Sequence, residues 1–132
     1  MEAKFAGAAE AILLNQEGYV AECSGDNIFI VKNGQVKTPA TYVGLLDGVT
    51  RNEVIKIAHK QGIPLEETVF TRYELFTADE VFLTGTAAEL IPVSMVDKRV
   101  VGNGKPGPVF AQLLKEFREV VKEPSPGAVF FK

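Results

Sequence analysis

Short apolar runs separated by turn formers fill the first third of the chain, and the apolar spacing shifts to a helical period further on. Ala11-Ile12-Leu13-Leu14 is apolar and ends at Asn15-Gln16-Glu17-Gly18, a turn. Tyr19-Val20-Ala21 and Asn27-Ile28-Phe29-Ile30-Val31 resume β character, and Lys32-Asn33-Gly34-Gln35 carries Asn-Gly. That dipeptide suits a type I′ hairpin turn, which needs positive φ at both central positions. Gln35-Val36-Lys37-Thr38 is then the returning strand, stopped by Pro39. Thr50-Arg51-Asn52-Glu53 has capping-box spacing, and Val54, Ile55, Ile57 and Ala58 continue as a helical stripe up to Gly62. Residues 65–70 read as a strand. Thr71-Arg72-Tyr73-Glu74 opens a short helix to Ala78, and Glu80-Val81-Phe82-Leu83-Thr84-Gly85 is a strand running into a third Thr-x-x-Glu, Thr86-Ala87-Ala88-Glu89. Residues 90–96 read as a further strand whose Pro92 marks an edge or bulge. After the loop Asn103-Gly104-Lys105-Pro106-Gly107-Pro108, the positions Val109, Leu113, Phe117 and Val120 make a final amphipathic helix.

Strands outnumber helices and hairpins dominate the first half, so the expected class is mixed, largely antiparallel α/β rather than a doubly wound parallel sheet. Residues 1–10 are Ala-rich with Glu and Lys and lack an N-cap, and read as the last turns of a longer helix or as a frayed terminal one. At the other end, Glu123-Pro124-Ser125-Pro126-Gly127 reads as a linker before the apolar tail Ala128-Val129-Phe130-Phe131. The expected organisation is therefore one domain over residues 1–122, with 1–10 a helix remnant and 123–132 a linker and tail.

Composition narrows the function classes. At 132 residues, 46% hydrophobic and 23% charged, the chain is sized for a single core and is neither disordered nor fibrous in composition. One cysteine excludes an internal disulfide framework and an all-cysteine zinc site, and no metal centre is expected. A net charge of −3 gives no reason to expect nucleic acid. No apolar run reaches the roughly 20 residues of a membrane span, and the start lacks a basic-then-apolar leader, so a cytoplasmic location is expected.

Two places combine a glycine with a hydroxyl residue opening a turn or helix: Gly48-Val49-Thr50 and Gly85-Thr86-Ala87. Unpaired amides at a helix start, with a threonine hydroxyl, suit a phosphate or carboxylate, although a Thr-x-x-Glu run by itself merely caps a helix. His59 and Cys23 read as a surface histidine and a buried small residue. Arg51 and Arg72 follow capping threonines and read as exposed first-turn arginines that could also neutralise an anion. Glu22, in a half-buried strand, is either on the solvent face or held inside by a cationic partner, because a lone buried charge is too costly.

Four motifs in order then resemble one family. Glu17-Gly18-Tyr19-Val20-Ala21-Glu22-Cys23-Ser24-Gly25-Asp26-Asn27-Ile28-Phe29 resembles the signature of the fold-type IV pyridoxal-phosphate (PLP) aminotransferases, and Leu46-Asp47-Gly48-Val49-Thr50-Arg51 resembles their phosphate turn. Thr77-Ala78-Asp79-Glu80-Val81-Phe82 with Gly85-Thr86-Ala87-Ala88-Glu89, and Gly102-Asn103-Gly104-Lys105-Pro106-Gly107-Pro108, resemble the branched-chain amino-acid aminotransferases in particular. The likeness is collinear over about residues 8–122.

It implies the pseudo-barrel C-terminal domain of the D-amino-acid aminotransferase-like enzymes, with PLP as cofactor. By resemblance, Glu22 pairs with the protonated pyridine nitrogen, Leu46 packs on the ring, and Val49, Thr50 and Thr86 hold the phosphate. Ala87 offers its amide to the substrate carboxylate. The implied reaction moves an amino group from Leu, Ile or Val to 2-oxoglutarate, and family members are usually homodimers.

Cys23, Asp26 and Asp47 depart from the family's usual Gly, Glu and Pro, and Asp47 adds negative charge beside a phosphate turn. The family's Schiff-base lysine lies upstream of the Glu22 motif, in sequence that these 132 residues do not contain. No catalytic residue is therefore assigned, and the chain alone is expected not to transaminate without an N-terminal domain. Alternatives kept open are a free-standing PLP- or phosphate-binding module, and part of a D-amino-acid aminotransferase or aminodeoxychorismate lyase.

Overall fold

A computed structural model describes residues 2–5, 8–14, 20–23, 27–40, 49–85, 89–96 and 99–122. At its centre is the hairpin of β4 (Asn27–Lys32) and β5 (Gln35–Pro39), turned at Asn33 (φ 52°) and Gly34 (φ 79°). Both turn residues are left-handed, as a type I′ turn requires. β7 (Glu80–Gly85) pairs antiparallel with the other side of β4, and β8 (Glu89–Val93) pairs antiparallel with β7. β6 (Leu65–Thr68) lies parallel to β5, a crossover made by α1 (Val49–Lys60), so one sheet runs β6-β5-β4-β7-β8. Pro92 sits on the edge strand of this sheet, where a missing N–H does least harm.

The second sheet runs β10-β9-β1-β2-β3, built from β1 (Glu2–Phe5), β2 (Ala8–Leu14), β3 (Val20–Cys23), β9 (Met95–Val96) and β10 (Arg99–Val100). β3 lies beside β4 and β5, and the chain passes from β8 to β9 at Ser94, so the two sheets are joined at both places. Every described strand pair is antiparallel except β5–β6. This bears out the mixed, mainly antiparallel class.

β4 is buried on both faces, which is why it reads as an unbroken apolar run. Ile28 and Ile30 face a cluster with Phe70, Leu75, Val81 and Leu83, closed by α2 (Arg72–Phe76). Phe29 and Val31 face a second cluster with Val54, Phe82, Leu113 and Phe117, covered by α1 and α3 (Pro108–Lys122). Phe29 stands opposite Phe82 in the ladder, and their rings stack with centroids 4.9 Å apart, with Phe110 tilted against Phe82 at 5.4 Å. Each such buried side chain contributes roughly 1.5–3 kcal/mol.

Three local expectations are corrected. Within residues 1–10, 2–5 and 8–10 do not form a helix: Glu2–Phe5 and Ala8–Leu14 are strands, paired Glu2↔Ala11 to Phe5↔Ala8, and β1 also pairs with β9. An uncapped run this short nucleates a helix poorly, whereas two neighbouring strands satisfy its backbone directly. Thr50 does not precede α1, which already includes Val49; it lies inside the first turn. Glu89 opens β8 and belongs to no helix. The middle Thr-x-x-Glu does cap: Thr71 accepts from the Glu74 amide and Glu74 accepts from the Thr71 amide. The expected linker and tail, 123–132, lie outside the described residues.

Candidate functional site

The register puts one end of β4, β5, β6, β7 and β8 on the same side of the sheet, where β5 and β6 meet the start of α1 and β3 leads into β4. β4 begins at Asn27, opposite Thr84 near the end of β7. β5 ends at Pro39, opposite Thr68 at the end of β6, and is tied to the start of β4 by a 2.8 Å bond from Thr38 Oγ1 to the Ile28 carbonyl. From Ala40, whose amide donates to the Thr68 carbonyl at 3.1 Å, the chain leads through residues 41–48 into α1. Residues 24–26 connect β3 to β4, and residues 86–88 connect Gly85 to Glu89, which face each other across the β7–β8 pair.

All six residues singled out in the sequence therefore belong to segments that start or stop at this end. Glu22 stands on β3 opposite Leu13, Val49 is the first residue of α1, and Thr50 is buried in its first turn. Leu46, Thr86 and Ala87 lie outside the described residues, as do the side chains of Glu22, Val49 and Cys23. His59, at the far end of α1, and Arg72 are exposed, as expected.

Arg51 corrects the expectation of an exposed first-turn arginine. Its side chain is 1% exposed; Nη2 donates to the Pro39 carbonyl at 3.0 Å and to Glu67 Oε1 at 2.7 Å, and Nη1 donates to Asn52 Oδ1 at 3.0 Å. The guanidinium thus clamps the start of α1 to the ends of β5 and β6. Its charge has the wrong sign for that place, since a helix N-terminus carries a partial positive charge, and the first turn of α1 contains no acidic residue. Thr84 is buried on the sheet face that α1 and α3 cover, the face of Phe82, and its hydroxyl has no hydrogen-bond partner among the described residues. Asn27, directly opposite, is also buried. Hydroxyls, helix-start amides and a buried cation form a donor set suited to an anion.

The opposite end of the same sheet is built differently. Glu80, 7% exposed at the start of β7, accepts from the Val109 amide at 3.2 Å (Oε2) and the Phe110 amide at 2.9 Å (Oε1). It caps α3 from another element. The loop before α3 presses on the same strand: a Cβ at Gly107 would run into the Glu80 carboxyl, and one at Gly102 (φ 54°) into the Asp79 carbonyl. Asp79 in turn accepts from the Asn33 amide at 2.9 Å and donates its own amide to Val31 at 2.7 Å.

Sequence reasoning missed Thr84, Glu67 and Glu80. The readable signal was a carboxylate opening an otherwise apolar strand, Glu80-Val81-Phe82-Leu83, ahead of a loop with three glycines, Gly102, Gly104 and Gly107.

Residues 1–96 match the model of the family described as amino-transferase class IV. The branched-chain-amino-acid aminotransferase of Pseudomonas aeruginosa is 48% identical over 120 residues, covering 91% of this chain and 39% of that protein. The crystal structure of the T.th. branched-chain amino acid aminotransferase matches with a TM-score of 0.83 at 47% identity, over 92% of this chain and 41% of the other. Further structures of that enzyme hold pyridoxamine 5′-phosphate and N-(5′-phosphopyridoxyl)-L-glutamate. The enzyme of Thermoproteus uzoniensis, solved with norvaline, matches with a TM-score of 0.79 at 48% identity, over 84% of this chain and 36% of that one. The chain spans about two-fifths of the length of these relatives.

Proposed function

The chain belongs to the class IV aminotransferases, and from that premise we propose that it is the cofactor-holding part of a branched-chain amino-acid aminotransferase, taking PLP at the end of the sheet where α1 begins. The observation that carries this reading is the first turn of α1 clamped by Arg51 to the ends of β5 and β6, with Thr50 buried in it and no acidic residue in that turn. The donor set suits the group. A phosphate monoester is held by amide and hydroxyl donors and is disfavoured, not excluded, by a nearby carboxylate, and the Thr84 hydroxyl, with no partner among the described residues, is one more buried donor at this end.

When bound, PLP supplies a ring that withdraws electrons from the Cα of the amino acid joined to it. The roles of this chain's residues are to bind, orient and hold protons. Glu22 keeps the pyridine nitrogen protonated by offering an ionised carboxylate, and Leu46 packs on the ring face. The amides of Val49 and Thr50, the Thr50 hydroxyl and Thr86 grip the phosphate. Ala87 donates its amide to the substrate carboxylate. The substrates are Leu, Ile and Val with 2-oxoglutarate, the compartment is the cytoplasm, and the assembled site draws on an N-terminal domain and on a second copy of the chain.

Within these 132 residues no lysine takes the Schiff-base role, so the chain by itself binds the cofactor without turning over leucine and 2-oxoglutarate. The test is titration with pyridoxamine 5′-phosphate and with unphosphorylated pyridoxamine, followed by fluorescence. The phosphorylated ligand is expected to bind, and Glu22→Gln to weaken it. No preference for the phosphorylated ligand at millimolar concentration would overturn the reading, and lysine-dependent turnover by this chain would overturn its second half.

A further inference from the structure

Arg51 and Glu67 form an ion pair whose placement has a consequence beyond holding α1 in position. The guanidinium is buried, belongs to the first turn of α1 and reaches the ends of β5 and β6, while Glu67 is 44% exposed on the edge strand. A cation at a helix N-terminus adds to the positive end of the macrodipole and works against the helix. For an anion held at that turn the same charge is favourable, and the guanidinium lies within its own side chain's length of the turn's amides. Glu67 offsets it. Its carboxylate, 2.7 Å from Nη2, opposes part of the attraction that Arg51 would exert.

We propose that Glu67 sets the affinity of the phosphate end of the site by partly neutralising Arg51, which makes the pair a positioning and charge-tuning element that never touches the ligand. This rests on the phosphate reading given above. Arg51 also donates to the Pro39 carbonyl and to the Asn52 amide oxygen, neither of them charged, and Glu67 contributes a carboxylate. Interaction between partly buried charges falls off slowly enough that a change of one unit at about 10 Å moves affinity several-fold.

The sign separates this from a merely structural role. Glu67→Gln keeps an oxygen to accept from Nη2 and removes the charge, so pyridoxamine 5′-phosphate is expected to bind several-fold more tightly, with pyridoxamine unchanged and the gain shrinking as salt is raised. Arg51→Gln removes the charge and is expected to weaken the phosphorylated ligand several-fold and leave pyridoxamine unchanged. Thermal unfolding of each variant confirms that it is folded, and Glu67→Gln decides the matter if Arg51→Gln is not. Unchanged or weaker binding of the phosphorylated ligand to Glu67→Gln, or an equal change for both ligands, overturns the inference and leaves the functional reading standing. A wild-type chain that does not discriminate between the two ligands overturns both.

Discussion

Two helices begin against opposite ends of the same sheet, and their starts are completed in different ways. α3 meets Glu80, a buried carboxylate held by two amides of its first turn, and the loop before it presses its glycines against Asp79 and Glu80. α1 carries a buried guanidinium and a buried threonine in its first turn, and at the same end of the sheet stands a threonine hydroxyl with no partner among the described residues. The anion that α3 needs is part of the chain. At α1 the first turn contains no acidic residue and the buried guanidinium is paired with the half-exposed Glu67; on the phosphate reading proposed above, the anion comes from outside. The difference teaches where to look for binding in a fold of this kind. A helix start already capped from within is finished structure, whereas one whose buried donors meet no internal anion is where a ligand is sought.

The comparison is sharpened first by removing the internal anion. Glu80→Ala leaves the Val109 and Phe110 amides without their carboxylate and opens a gap beneath α3, and is expected to lower stability by about 2–3 kcal/mol in urea unfolding. Gly107→Ala acts on the same contact, because the new methyl group displaces the Glu80 carboxyl from α3. Its expected cost is smaller, about 1–2 kcal/mol, because the carboxyl can re-form part of the cap after shifting. Neither substitution is expected to alter the affinity for pyridoxamine 5′-phosphate. A loss of ligand affinity that matched the loss of stability would break the distinction between the two ends.

Much of this fold could be read from local pattern. The Asn33-Gly34 turn, the buried strand Ile28-Phe29-Ile30-Val31 and the cap at Thr71 each depend on residues adjacent in sequence, and each is found where the pattern puts it. The failures share a cause. Residues 2–5 are strand because they pair with β2 and β9, the second lying some ninety positions away. Arg51 is buried because its partners are Pro39 and Glu67, on two other elements. Glu80 caps a helix 29 residues downstream. Sequence spacing records neighbours along the chain, so groups that meet only through topology left no local trace. The site was legible in part for the same reason: Thr50 announced itself through its own turn, and Thr84, ordinary in a strand, did not.

At the other end, Thr50→Val preserves shape and removes a hydroxyl from the first turn of α1. Pyridoxamine 5′-phosphate is expected to bind about tenfold more weakly, equivalent to about 1.4 kcal/mol, with unfolding little changed. This is the mirror image of the Glu80 result: affinity falls and stability holds. A variant that lost stability while keeping affinity would place Thr50 with the finished structure and remove the contrast between the two helix starts.

The smallest expected effect is also the sharpest, because it predicts opposite signs for one substitution at two buried threonines of the same end. Thr38, fully buried, donates its hydroxyl to the Ile28 carbonyl at 2.8 Å. Thr38→Val breaks that bond inside the core and is expected to cost about 1 kcal/mol. Thr84, 2% exposed, has a hydroxyl with no partner among the described residues. Valine there has nearly the same shape and no polar atom to leave unsatisfied, so Thr84→Val is expected to gain about 1 kcal/mol in the ligand-free chain. A gain means that the wild-type chain tolerates an unsatisfied hydroxyl at this end of the sheet, which folding alone would not favour and a ligand would. The check is urea unfolding of both variants side by side. If both lose stability equally, the Thr84 hydroxyl already has a partner without ligand, and the end of the sheet at α1 is as complete as the end at α3.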